Sequence, residues 1–132
     1  MITIAECYLT LGEYFLEEDM FKAYGYFEEA ARNGSGKAAM KLVNYHEKLK
    51  NYDKAYEALM WAFDAHDETL AEASYKLGLY HEYGYGMQDI DIERAYIFYS
   101  HAADRGHEKA KKKMVHENTK KLKNILMEMF RA

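Results

Sequence analysis

Six histidines, 22 acidic residues and one cysteine are the side chains of this 132-residue chain that could hold a metal or do acid–base or nucleophilic work. No histidine lies four residues from another. The His-Glu pairs at His46, His81, His107 and His116 never extend to HExxH, the spacing that sets two ligands on one helical face. No metal and no cofactor is expected. Gly84-Tyr85-Gly86 stands several residues ahead of the next helical pattern, with neither a preceding strand nor a lysine, so it reads as a connection turn and not as a phosphate cradle. Carboxylates are plentiful, but no pocket of perturbed groups is legible in their spacing, and no catalytic residue is assigned. Cys7, at helical spacing among apolar neighbours, reads as a small buried hydrophobe and not as a nucleophile. The expectation is a protein that is not an enzyme.

The elements behind these residues are helices. Hydrophobic residues make up 49% of the chain, enough for one core, and prolines are absent, which with a lone cysteine argues against a disulfide-stapled or all-β fold. No basic leader precedes an apolar run, and no apolar stretch approaches the roughly 18 residues that span a bilayer. That implies a soluble cytoplasmic protein with no membrane role. Charge is split: residues 107–132 carry eight basic and three acidic side chains (+5), the remainder ten basic and nineteen acidic (−9). The basic end reads as the polar outside of a terminal helix or as an arm for nucleic acid.

An internal repeat organises the single domain 1–132. Ala71–Gly106 reads as one helical hairpin, and AECYLTLG with AYGYFEEAARNG, then AMKLVNYH with AYEALMWAFDAH, repeat its plan. Repeat one spans about 4–34, repeat two about 36–66 and repeat three about 70–106. Thr3-Ile-Ala-Glu6 and Thr69-Leu-Ala-Glu72 have the spacing of capping boxes, while Asp19, Asn51 and Asp91 read as N-caps. Tyr8, Leu11, Phe15 and Leu16 form the first stripe, Ala23, Tyr26, Phe27, Ala30 and Ala31 the second. Gly12 and Gly78 interrupt helical stripes, each suggesting a closely crossing neighbour. Gly34 and Gly106 read as left-handed stops. The period of 32 from Ala23 to Ala55 places Asn44 where Gly12 stands and His66 at the terminal glycine; Ala95 continues the series after a longer connection holding Gly84 and Gly86. From about 107 to 131 a long helix reads as a cap, with Ala110, Met114 and Val115 continuing the stack and Leu122, Ile125, Leu126, Met129 and Phe130 forming a second stripe.

Those residues resemble the Sel-one-like repeat of the tetratricopeptide superfamily. In the third unit Ala71, Leu77, Gly78, Gly84, Gly86, Met87 in place of Val, Asp91, Arg94 in place of Lys, Ala95, Phe98, Tyr99, Ala102, Ala103 and Gly106 fill its pattern. Tyr80 and His81 stand where an aliphatic residue and Tyr are usual. The first unit keeps Leu11, Gly12, Phe15, Ala23, Tyr26, Phe27, Ala30, Ala31 and Gly34 but lacks the Gly-x-Gly connection; the middle unit keeps little beyond Lys54, Ala55 and Ala62. The resemblance implies an all-α right-handed superhelix, an α-solenoid of three antiparallel hairpins plus a C-terminal capping helix. It also implies an adaptor or scaffold role without catalytic residues.

In superhelical hairpin repeats the first helices line the concave face. By that rule Glu6, Leu9, Glu13 and Glu17, then Lys41, Tyr45 and Lys48, then Glu72, Tyr75, Glu82 and Tyr83 face a groove. Tyrosine beside carboxylate suits a protein or peptide partner bearing a basic segment. The leading expectation is therefore a non-enzymatic protein–protein interaction module. One alternative is a bacterial immunity or regulator protein that blocks a toxin or enzyme. Another is a nucleic-acid binder using Lys109, Lys111, Lys112, Lys113, Lys120, Lys121 and Lys123, although no aromatic is interleaved for base stacking.

Overall fold

The computed structural model describes residues 1–86 and 88–131; Met87, set at the family's Val place, lies outside them. Its helices begin where short polar side chains meet the free N–H groups of a first turn. Thr3 opens α1 (Ile4–Phe15) with a reciprocal box, its hydroxyl accepting from the Glu6 N–H and the Glu6 carboxylate accepting from the Thr3 N–H, both at 3.1 Å. Asp19, Ser35, Asn51 and Asp91 accept in the same way at the starts of α2 (Met20–Arg32), α3 (Gly36–Lys48), α4 (Tyr52–Ala65) and α6 (Ile92–Asp104). His107 caps α7 (Glu108–Met129), its Nδ1 accepting from the Ala110 N–H at 3.3 Å.

The start of α5 (Leu70–Tyr83) departs from the expected second capping box. Thr69 is already helical and makes no cap bond. Its hydroxyl donates to the Asp67 carboxylate at 2.6 Å, while the other Asp67 oxygen accepts from the Gly36 N–H at 3.1 Å. Asp67 thereby ties the start of α5 to the start of α3, a link between units that a local box would not provide.

Consecutive helices pair as antiparallel hairpins: α1 with α2, α3 with α4 and α5 with α6 form units one, two and three. Each second helix also packs on the first helix that follows, ending with α6 on α7. Among the described residues there are seven helices and no strand, an α-solenoid in which successive helices cover one another's packed sides. No described helix is long and apolar enough to cross a membrane.

The second helices keep one register. Ala23, Ala55 and Ala95, then Phe27, Leu59 and Tyr99, then Ala30, Ala62 and Ala102 are all completely buried. Opposite them, the Phe27 ring lies on Gly12 and the Tyr99 ring on Gly78, so that a Cβ at Gly12 would fall 2.5 Å from Phe27 Cδ1 and one at Gly78 would overlap Tyr99. The glycine in each pair is the space the ring fills.

Unit two corrects the sequence register. Asn44, set at the glycine place, is exposed, whereas Val43 is completely buried. Ala38-x-x-Lys41-Leu42-x-x-Tyr45-His46-Glu47 repeats Ala73-x-x-Lys76-Leu77-x-x-Tyr80-His81-Glu82, so Val43 corresponds to Gly78. The slip arises because the path from Val43 to Ala55 is one residue longer than that from Gly12 to Ala23, so an alignment on the second helices misplaces the first. His66 takes the left-handed conformation, φ 52, at the place held by Gly34 and Gly106, φ 99 and 87. Its Nδ1 bonds to the Phe63 carbonyl oxygen at 3.0 Å, local compensation for a strained backbone.

Two further expectations fail at the ends of the stack. Cys7 is exposed and Leu11 is 38% exposed, because the packed side of α1 runs through Ala5, Tyr8, Leu9, Gly12, Phe15 and Leu16. Ala110 is completely buried, but Val115 is 65% exposed, and Leu122, Ile125, Leu126, Met129 and Phe130 are exposed as well. Only the first turns of α7 cap the stack, and its apolar stripe faces solvent.

Candidate functional site

Glu47 and Glu82, four residues after Val43 and Gly78, each join two successive first helices. The Glu82 carboxylate accepts from the Tyr99 hydroxyl at 2.6 Å and from Lys113 Nζ at 2.8 Å. The Glu47 carboxylate accepts from the Tyr80 hydroxyl at 2.8 Å and from Lys76 Nζ at 2.7 Å. Burial pushes the Glu82 pKa up, but the Lys113 and Tyr99 donors outweigh it and leave the group below its ordinary value. Burial pulls Lys113 down, and its bond to Glu82 more than reverses that. Burial, and then a carboxylate acceptor, push both the Tyr80 and the Tyr99 phenols far above their ordinary range. The Glu82 knot is thus an ionised acid held by a lysine and a protonated phenol, suited to fastening helices and not to moving protons.

These knots, with the corrected register, redistribute the residues expected to line the groove. Glu82 is in a knot. His107 uses its Nδ1 as an acceptor and therefore donates from Nε2 to Glu72 at 2.7 Å, while its ring stacks on Tyr75 with centroids 4.5 Å apart. Tyr45 stacks on Tyr24 at 4.1 Å, and Lys41 lies over the Phe27 ring at 5.6 Å, so neither faces a groove. Glu6, Glu13, Glu17 and Tyr83 remain exposed. In unit two the outward places fall to Lys37, Asn44 and Lys48, all exposed, and Lys37 Nζ lies 3.6 Å from Glu13. An open cleft lined by Ala5, Glu6, Leu9, Ser35, Lys37 and Glu68 separates the starts of α1 and α3. Sequence reasoning missed Glu47, Lys76 and Lys37, although the repeated A-x-x-K-L-x-x-Y-H-E string was the signal that could have found them.

On α7, Lys109, Lys112, Lys120 and Lys121 are exposed, but Lys113 is committed to Glu82 and sits 5.0 Å from the Tyr99 ring centroid. The buried histidine of unit three, His81, has Nε2 3.2 Å from the Tyr56 hydroxyl and lies parallel to Phe98 at 5.5 Å. Burial, then Arg94, hold its pKa below the ordinary value against the opposing pull of Asp91. Phe15 and Tyr26 form the corresponding pair in unit one, at 5.8 Å. In unit two the pair is His46 and Ala58, and a small cavity opens there, lined also by Glu28, Leu42, Glu57 and Trp61. His46 Nδ1 is buried at that place without a partner among the described residues. No cluster of three potential metal ligands occurs among the described residues.

No curated protein matches the chain. A family model described as the Sel1 repeat matches residues 4–35 and 71–107, more than half of the sequence, and these are units one and three with their glycine–aromatic contacts. The Sel1 repeat is a non-catalytic repeat that generally mediates protein–protein interaction. With two matched hairpins in an all-helical solenoid, the chain belongs to the Sel1 repeat family.

Proposed function

We propose that this chain is a protein-interaction module that receives a basic segment of its partner on the first-helix face of unit one, with Glu6, Glu13 and Glu17 as the steering charges. The observation that carries the reading lies within the molecule. The start of α7, a lysine-rich helix, is seated on the first helix of unit three through Lys113 on Glu82 and His107 on Glu72, with Tyr75 beneath the imidazole. The first-helix face of unit one carries carboxylates at neighbouring places, and there Glu13 has only the long, solvent-exposed contact to Lys37 while Glu17 has no ion pair among the described residues. Exposed charges of this kind set partner choice and association rate more than they set affinity.

The test is to capture the partner with the full chain by affinity purification and compare two double variants. Glu13→Lys with Glu17→Lys should release it, chiefly through a slower association with reduced salt dependence. Lys120→Glu with Lys121→Glu should leave binding intact. The reverse result would make the basic helix the working surface and refute the proposal.

A further inference from the structure

We infer that the exposed stripe of α7 is an interface for a second copy of this chain, docking on the outer side of that copy's α1–α2 hairpin. The register of α7 shows what it lacks. Ala110 and Lys113 repeat the places of Ala73 and Lys76: both alanines are completely buried, and both lysines reach the carboxylate of the preceding first helix. The next two places in α5, Leu77 and Gly78, are buried against α6. In α7 those places are Met114 and Val115, and Val115 is 65% exposed. So α7 is a first helix over which no second helix is laid among the described residues. The bare side continues through Leu122, Ile125, Leu126 and Met129 at helical spacing.

Hairpin α1–α2 has the complementary deficiency. Ile4, Leu11 and Tyr14 on α1 and Phe21 on α2 are 65, 38, 68 and 93% exposed, beside a shallow depression that includes Tyr8, Gly25 and Tyr26. Charge selects the pairing. Residues 1–34 carry seven acidic and two basic side chains (−5), whereas residues 107–132 carry eight basic and three acidic (+5). Lys112, Lys121 and Lys123 flank the α7 stripe, while Glu17 and Glu18 follow the α1 stripe at its end and Asp19 and Glu29 line the depression beside Phe21, with Lys22 the one cation among them. Two α7 helices laid together would oppose lysine to lysine. Laying α7 on the α1–α2 edge of another copy opposes lysine to carboxylate and covers both apolar stripes. The contact is heterologous, since each copy offers both surfaces, so association grows head to tail and does not stop at a symmetric dimer.

Sedimentation velocity across a concentration series tests this with the full chain. Wild type should form species beyond the dimer, fewer at high salt. A tail variant, Leu122→Glu with Leu126→Glu, and an edge variant, Leu11→Lys with Tyr14→Lys, change only exposed side chains, and helix content by circular dichroism checks that each folds. Each alone should be monomeric, with self-association weakened at least about thirtyfold. Mixed, they should form a one-to-one heterodimer, because one intact tail and one intact edge remain. A monomeric wild type, an edge variant that still dimerises through α7, or a mixture that fails to combine would each overturn the inference. So would a wild type that stays monomeric and instead sediments with phosphatidylserine vesicles, which would assign the stripe to an anionic membrane surface.

Discussion

Units one and three match the family pattern and unit two does not, yet all three are the same hairpin. The outer units close with a ring on a glycine, Phe27 on Gly12 and Tyr99 on Gly78, and with a second ring pair, Phe15 with Tyr26 and His81 with Phe98. Unit two has Leu59 and Val43 at the first pair of places, both completely buried, and Ala58 opposite His46 at the second. Volume has moved from one helix to the other. A branched aliphatic replaces the missing Cβ and a smaller side chain replaces the ring, so the helices still close. The family pattern therefore describes one solution to a packing constraint that the middle unit meets in another way, and its mid-helix glycines matter only where an aromatic faces them.

The largest effects should come from breaking the two solutions. Gly78→Leu places a branched side chain into the Tyr99 ring and should cost about 2–3 kcal/mol in denaturant unfolding. Val43→Gly would make unit two look more like the family, yet it should destabilise by about 2 kcal/mol, because Leu59 cannot fill the space it leaves. Adding Leu59→Phe to Val43→Gly should recover about 1 kcal/mol as a favourable coupling. A stabilising Val43→Gly, or strict additivity in the double variant, would mean that the two places do not share one volume.

This trade also marks how far the fold and the candidate site were legible in the sequence. Second-helix residues were placed well because Ala23, Ala55 and Ala95 recur at one place in each unit and are completely buried there. Most helix starts were legible because caps are local chemistry. Thr69 was not, since what it bonds to, Asp67, is fixed by the distant N–H of Gly36. The first-helix register of unit two slipped by one residue because an insertion between paired helices leaves no mark on either stripe. That slip put Tyr45 and Lys41 in the groove and hid Glu47. The fates of Tyr75, Glu72 and Glu82 depended on where α7 lands, which periodicity within α7 cannot say.

A smaller effect should follow from giving unit two the ring it lacks. Ala58→Phe would set an aromatic against His46 as Phe98 is set against His81, filling the cavity lined by Leu42 and Trp61. Filling such a space typically adds about 1 kcal/mol. Calorimetry should show a raised Tm, and heteronuclear NMR should show His46 ring shifts from the stacked ring. If Tm falls while the ring packs elsewhere, the correspondence of Ala58 with Tyr26 and Phe98 is wrong.

The smallest effect separates unit one from the other two by pH. At the place of His46 and His81 unit one has Phe15, which cannot titrate. Burial holds both histidines below their ordinary value of 6.5, with Lys54 adding to the effect at His46 and Arg94 at His81. The sign follows from which state takes up the proton. Well above pH 6.5 both states are neutral at these sites. As pH falls through 6.5 the unfolded chain protonates first, so stability is lost down to the folded pKa and then levels off. Glu82 adds loss in the same direction at lower pH, since its folded value lies below its ordinary 4.5. Substituting His81→Phe copies unit one. At pH 8 the variant should be somewhat less stable, because the Tyr56 hydroxyl loses its partner at 3.2 Å. Between pH 7 and 5.5 its stability should fall less steeply than that of wild type, leaving only the His46 contribution, and the two curves should converge. Urea titrations at four pH values would decide it, for parallel curves would mean that His81 protonates as readily in the folded protein as in the unfolded chain.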